Sequence, residues 1–486
     1  MRQSHTGKTT IAIVGGGASG VLTAYHLAQQ NVNARMVLID PRPQFGLGLA
    51  YSTPSLRHLL NVPAGKISAL PAEPNHFLNW LRANHDHAAT SMTFAPRAVF
   101  GQYLQSILAT VKDIAQVQAH VIDIAPAESG AMLKLDDGRE LHAGLVVLAT
   151  GNFDPATLPG INEDAVASGA YCHNAWLDAT YSNLPADAPI ALIGTGLTGV
   201  DVVLRLRELG HRGTIVAISR HGVFPKRHAE YTPTAKSVIP IGTAPTCAAY
   251  LRAFHRALLK GTEWRAAVDS LRATTNGLWL ALPLNEQKRF RRHLQRRWDV
   301  VRHRMAPPIA DLIETELAAG TLVIREGHLD RIEASGRGAL VTIRTQTGIE
   351  VFSTARVINC TGPSMNYRRV NSPLLKNLFA RGLVSAGPMG GGFNCTRSGA
   401  IIDAEGAISR LLFNLGPGRL GTLIESIAIP EIRQQAFDLA TLLVSRMEAS
   451  QIEAGQIESM QGSAPEDDYD PAFREGADID AGMATA

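Results

Sequence analysis

The chain is poor in cysteine and has no long apolar run, and each shortage removes a class of protein. Only 4 of its 486 residues are cysteine, and none stands in a C-x-x-C pair. That argues against a disulfide-stapled secreted domain and against a dithiol reductase centre. No apolar stretch approaches the roughly 20 residues that span a bilayer. Met1 to Thr10 is polar and leads straight into a strand pattern, so it does not read as a signal peptide. Lys plus Arg number 46 against 43 Asp plus Glu, a net charge of +3, which gives no general argument for a nucleic-acid or membrane partner. No H-E-x-x-H, paired carboxylates or Ser-His-Asp arrangement can be recognised, and isolated cysteines make a poor zinc site. The expectation is a soluble, cytoplasmic protein that handles small molecules, with homo-oligomerisation left open.

What is present is glycine, 44 residues of it, within a composition that is 45% apolar. At roughly 150 residues per folding unit, the length suggests about three units. Thr10 to Val14 reads as a strand, ends in Gly15-Gly16-Gly17-Ala18-Ser19-Gly20, and is followed by a helical pattern; Met36 to Ile39 is a second strand, closing on Asp40. Strand, glycine turn, helix, strand and acid form the opening of a doubly wound α/β sheet. The pattern restarts at Pro189, with strand Ile190 to Ile193, turn Gly194-Thr195-Gly196-Leu197-Thr198-Gly199, a helix, and strand Thr214 to Ile218 closing on Ser219-Arg220. One such glycine turn is weak evidence; two in the same strand-to-helix context predict two Rossmann-like dinucleotide sites.

The two sites differ in the group that reads the adenosine ribose. Asp40 accepts bonds from free hydroxyls and repels a 2′-phosphate, so the first site is expected to hold FAD. Arg220 suits a 2′-phosphate, so the second is expected to prefer NADPH. Two such sites imply that a nicotinamide reduces a bound flavin.

These segments, together with Gly46-Leu47-Gly48-Leu49-Ala50-Tyr51, His58-Leu59-Leu60-Asn61-Val62-Pro63-Ala64, Pro96-Arg97, Ala149-Thr150-Gly151-Asn152, Asn359-Cys360-Thr361-Gly362-Pro363, Leu415-Gly416-Pro417 and Glu425 to Arg433, resemble the two-dinucleotide-binding-domain flavoproteins. Among these, the likeness is to bacterial FAD/NAD(P)-binding proteins and to N-hydroxylating and Baeyer–Villiger type monooxygenases, over about Thr10 to Leu443. The resemblance implies that Gly15, Gly17, Ala18, Ser19 and Gly20 hold the FAD pyrophosphate and Asp40 its ribose. It places Leu60, Asn61 and Val62 against the isoalloxazine and Val121 at the adenine. It brings Ser426, Ile427 and Ala428 towards the flavin, and Gly194, Gly196, Leu197, Thr198, Gly199, Ser219 and Arg220 form the NADPH site; Gly151 and Gly362 are further cofactor-binding candidates. Gly169 to Trp176 approximates the Baeyer–Villiger fingerprint, with Ala167 where an aromatic is expected and the Trp one residue early. His173 there is a hinge candidate, and Asn61 and His173 are the catalytic candidates.

The implied activity is an NADPH-dependent FAD monooxygenase that forms a flavin hydroperoxide and oxygenates a small nucleophile, N-hydroxylating an amine or amino acid, with O₂ as co-substrate. The alternative is an NAD(P)H:acceptor flavin oxidoreductase without oxygen insertion. Expected domains are a flavin-binding part at 1–180 and a nucleotide domain at 181–350, which carries an Arg-rich helical insertion at about 246–319. A second flavin-binding part follows at 351–446, then an acidic, disordered tail at 447–486. Within the insertion, Arg292 and Arg296 are candidate clamps for a substrate carboxylate.

Overall fold

The computed structural model describes residues 8–461, with side chains described through residue 449. In chain order the first part contains β1 (Thr10–Val14), β2 (Arg35–Asp40), β3 (Ile114–Gln118), β4 (Val121–Ala127), β5 (Gly130–Leu135), β6 (Glu140–Ala143) and β7 (Leu145–Leu148). The second contains β8 (Tyr171–Cys172), β9 (Ile190–Ile193), β10 (Ile215–Ser219), β11 (Leu322–Glu326), β12 (His328–Ser335), β13 (Gly338–Arg344), β14 (Ile349–Thr354) and β15 (Arg356–Asn359). The chain then returns with β16 (Ala400–Ile402) and β17 (Ile408–Asn414).

One sheet has the order β16-β17-β7-β1-β2-β3 and the other β11-β10-β9-β15-β8. Apart from the antiparallel β16–β17 pair, neighbours in both sheets run parallel. Strands covered on both faces read as unbroken apolar runs, and β1, β7 and β9 are such runs.

The two halves repeat one plan. A three-stranded antiparallel sheet, β4-β5-β6, intervenes between β3 and β7, and β12-β13-β14 intervenes between β11 and β15. β7 then returns beside β1 in the first sheet, as β15 returns beside β9 in the second. Each order reverses at the strand that carries a glycine turn, β1 or β9, which is the switch point where doubly wound sheets bind ligands.

This repeat moves the expected domain limits. Residue 350 falls inside β14, and β15 is a central strand of the second sheet, so the return to the first sheet comes after Asn359. β8 also pairs in the second sheet, although Tyr171 and Cys172 had been expected in the flavin-binding part. The physical reason is that β9 needs a parallel neighbour on its far side, and β15 supplies it. The edge strands β3 and β8 escaped the sequence reading because one is half polar and the other is two residues long. The last helix runs from Ile429 to Gln461, past the expected tail start at 447, through a stretch rich in the helix formers Ala, Glu and Gln. Residues 462–486 of that tail lie outside the described residues. Among the described residues, no helix is long and apolar enough to cross a membrane.

A buried ion pair ties the two glycine-turn halves. Arg97 donates to Asp201, which is buried in the helix Leu197–Glu208, at 2.8 Å to Oδ2 and 3.0 Å to Oδ1. His58 reaches the backbone carbonyl of the same Asp201 through Nε2 at 2.9 Å, and its Nδ1 meets Thr53 Oγ1 at 2.6 Å. Burial holds His58 below its ordinary pKa despite the nearby Asp201 carboxylate. Removing one partner of a buried pair strands the other charge, at about 3 kcal/mol. Arg97→Ala is therefore expected to lower unfolding stability by about that amount, measured by urea denaturation, and no loss of stability would show that the pair contributes nothing.

Candidate functional site

Both glycine turns are built from backbone proximity. Gly15 has φ +116°, and a Cβ there would lie 2.2 Å from the Ala149 carbonyl oxygen that follows β7. Gly194 has φ +119°, and its Cβ would lie 2.5 Å from the Cys360 carbonyl oxygen that follows β15. Side chains are excluded from both positions by conformation and by space. The third glycines are also matched: a Cβ on Gly20 would meet Gly15 oxygen at 1.9 Å and one on Gly199 would meet Gly194 oxygen at 2.6 Å. Around Gly196, Gly151 and Gly362, by contrast, nothing lies within 4 Å of a Cβ, so space stands open there. The helices Ala18–Gln29 and Leu197–Glu208 begin at these turns with no side-chain cap. Their first N–H groups are thus left for an anion.

At the first turn, buried Asp40 accepts from Gly16 N at 2.8 Å and from Arg42 N, Nε and Nη2 at 2.9, 3.0 and 3.1 Å. Burial raises its pKa, but the Arg42 hydrogen bonds and charge and the Gly16 N–H outweigh it, so the carboxyl sits below its ordinary value. Neither Gly16 nor Arg42 had been singled out from the sequence. The later segment closes over this turn. Ser19 is buried against Gly416, whose N–H donates to Gln435 Oε1 at 3.0 Å and whose carbonyl accepts from Ser426 Oγ at 2.6 Å. Ile427 is exposed, Ala428 half-buried, and Ala428 oxygen accepts the first helical N–H groups of the last helix, from Glu431 and Ile432.

The 60–62 loop is fixed by its backbone, with Leu60 N donating to Ala95 oxygen at 2.9 Å and Leu60 and Val62 buried. Asn61 is half-buried, and its amide makes no hydrogen bond to any described residue. Val121 is buried at the start of β4, opposite Leu135. His173 lies in the linker after β8, half-buried, with Nδ1 3.3 Å from the Tyr171 hydroxyl. Next to it Trp176 meets His58 edge-on, with ring centroids 6.3 Å apart.

At the second turn, Thr195 Oγ1 lies 2.8 Å from Ser219 Oγ and donates to Val223 oxygen at 2.6 Å. Arg220 is exposed and has no hydrogen bond or ion pair to any described residue. Arg296 arrives here from the insertion, donating from Nη2 to Thr195 Oγ1 at 3.0 Å, Thr195 oxygen at 3.2 Å and Val223 oxygen at 2.5 Å. Burial lowers its pKa; Asp299 opposes that, and the like charge of Arg220 adds to it. Arg296 therefore stands beside the nucleotide turn, whereas a role at a substrate carboxylate had been expected. Arg292 is exposed on the helix Leu284–His293 and is not brought together with it.

The insertion docks on the approach to Ser426. Asn276 and Glu425 exchange hydrogen bonds (Asn276 Nδ2 to Glu425 oxygen, 2.8 Å; Glu425 N to Asn276 Oδ1, 3.1 Å), and Trp279 Nε1 donates to Thr422 oxygen at 3.1 Å. Arg302 grips the buried Glu425 carboxylate through two bonds of 2.7 Å. Among the described residues the four cysteines are unpaired, and no group of His, Cys, Asp and Glu is arranged to hold a metal.

Residues 12–153 match the protein family described as FAD-NAD(P)-binding. The fold is that of the FAD- and NAD(P)-binding flavoproteins. An ornithine hydroxylase from Pseudomonas aeruginosa is similar at TM-score 0.61 and 15% identity, covering 90% of this chain and 100% of that one. The ornithine N-hydroxylase of Kutzneria sp. 744 is similar at TM-score 0.63 and 14% identity, covering 91% and 100%. A bacillithiol disulfide reductase from Bacillus cereus shares the fold at TM-score 0.52 and 16% identity, covering 90% and 99%. In sequence, 239 residues are 23% identical to the uncharacterized protein YdhS of Escherichia coli (strain K12). That stretch covers 45% of this chain and 43% of the relative, so the match spans less than half of its length.

Proposed function

We propose that the protein is an NADPH-dependent FAD monooxygenase acting on a small nucleophilic substrate, with N-hydroxylation of an amine or amino acid as its finer reading. The observation that carries it is the pair of matched glycine turns with opposite selectors, Asp40 at one and Arg220 with Arg296 at the other. The residues present fit both coenzymes. Neither first glycine leaves room for a side chain, space stands open beside Gly196 while Gly48 lies close to Gly17, and the Asn61 amide makes no hydrogen bond to any described residue. Gly15 to Gly20 would hold the FAD pyrophosphate. Asp40 would take ribose hydroxyls in place of the Arg42 guanidinium, which is 41% exposed. Gly194 to Gly199 would hold the NADPH pyrophosphate, with Ser219 nearby and Arg220 on the 2′-phosphate.

Bound FAD would supply hydride acceptance from NADPH and the reduction of O₂. The chain's part is to position and to exclude water. Leu60 and Val62 present a dry wall, and Asn61 offers an amide donor and acceptor. Ser426, locked by Gly416 and Gln435, and Glu425, locked by Arg302 and Asn276, fix the start of the last helix, whose positive end favours negative charge nearby. Support for oxygenation over a dithiol–disulfide centre comes from the four unpaired cysteines, Cys247, Cys360 and Cys395 buried and Cys172 half-buried; the fold is shared with N-hydroxylases and with a disulfide reductase alike. Stoichiometry decides it: an amine, O₂, NADPH and a proton should give hydroxylamine, water and NADP⁺. Purified yellow protein is expected to consume NADPH and O₂ one to one when screened with amines and amino acids, with hydroxylated product detected by mass spectrometry. NADPH oxidation that proceeds equally without O₂, using an added quinone, would instead establish the acceptor oxidoreductase.

A further inference from the structure

The insertion forms a solvent-open pocket of about 300 Å³, lined by Phe254, Leu278, Trp279, Phe290, Trp298 and Ile424 among others. No motif of the flavin or nucleotide sites enters it. It opens to solvent on one side, where Leu251, His255 and Arg297 are exposed, so a ligand can enter it from water. A cavity of roughly 150 Å³ accepts a benzene, so this one accommodates an apolar body about twice that size.

Its chemistry selects the occupant. Four polar side chains on its wall are already spent within the protein: Tyr250 hydroxyl on Leu278 oxygen, Thr275 hydroxyl on Leu271 oxygen, Trp279 Nε1 on Thr422 oxygen and Cys247 Sγ on Glu286 oxygen. An occupant thus meets hydrocarbon and aromatic faces. The exceptions are Arg297 and His255, both exposed on the lining, and the half-buried Trp298 indole N–H, none of which makes a hydrogen bond or ion pair with any described residue; Arg297 brings the guanidinium. A free guanidinium beside an apolar hole matches an amphipathic anion and repels an ammonium group.

We infer that this cavity is a binding site for an amphipathic carboxylate, its alkyl or aryl body inside and its carboxylate on Arg297. The site stands whether or not its occupant is oxygenated. It touches the flavin side of the molecule through Ile424, the neighbour of Glu425.

Sodium octanoate is the probe, with octan-1-ol and octylamine as head-group controls, titrated into the full-length holoprotein by calorimetry. Trp279 and Trp298 give a second readout, since filling the cavity shifts their emission to the blue. Octanoate is expected to bind saturably and more tightly than octylamine. Arg297→Ala should weaken octanoate about fivefold and leave octanol unchanged, and Leu278→Trp should abolish binding of both. Retained flavin colour shows that the variants fold, and Arg297→Ala, at an exposed position, serves if Leu278→Trp does not. Absence of saturable binding, octylamine binding as tightly as octanoate, or an Arg297→Ala protein that binds octanoate unchanged would each overturn the site.

Discussion

A Gly194→Val protein is expected to stay yellow while its NADPH oxidation falls about 100-fold, and Gly15→Val is expected to emerge without flavin. The two glycines have the same geometry but serve different turns. Each has φ near +120°, where a β-branched residue is an outlier, and each would drive a Cβ into the carbonyl oxygen just past the neighbouring strand. The strain is on the order of 3 kcal/mol. It is relieved only by moving the turn away from Cys360 or Ala149, which takes its N–H groups off the pyrophosphate. Since each 1.4 kcal/mol is about a factor of ten, the rate loss is about two decades. Flavin absorbance per protein and steady-state NADPH oxidation check both halves. A colourless Gly194→Val protein that folds normally would reverse the assignment of the turns, and a yellow Gly15→Val protein would remove the first turn from flavin binding.

Arg220→Ala is expected to raise KM for NADPH by about 10- to 100-fold and to leave KM for NADH unchanged. Arg220 has no hydrogen bond or ion pair among the described residues, so its removal costs only what it gives to a phosphate. Arg296→Ala should behave differently. Its guanidinium bonds Thr195 and Val223 as well as standing near Arg220, so its loss loosens the turn and raises KM for both coenzymes. Coenzyme kinetics of the two variants separate the roles. An unchanged NADPH-to-NADH ratio in Arg220→Ala would show that Arg220 is only a solvated charge at a strand end.

Local pattern was enough to reveal the two glycine turns, the acid and the base behind them, and the central strands. Pyrophosphate turns require glycine at set spacing, and buried parallel strands require unbroken apolar runs, so both leave their signature in adjacent residues. Contacts between distant segments left none. Arg42 closing on Asp40, Arg97 on Asp201, Arg302 on Glu425 and Arg296 on Thr195 depend on which crossovers the sheets bring together. One arginine in the cationic insertion cannot be told from the next by composition. The same holds for the cavity: Phe254, Trp279, Phe290 and Trp298 are ordinary apolar positions along their helices, and only the packing of those helices leaves a hole between them. Tertiary structure also moved the domain limit past β15, because a central strand must be flanked on both sides, a demand that no single segment expresses.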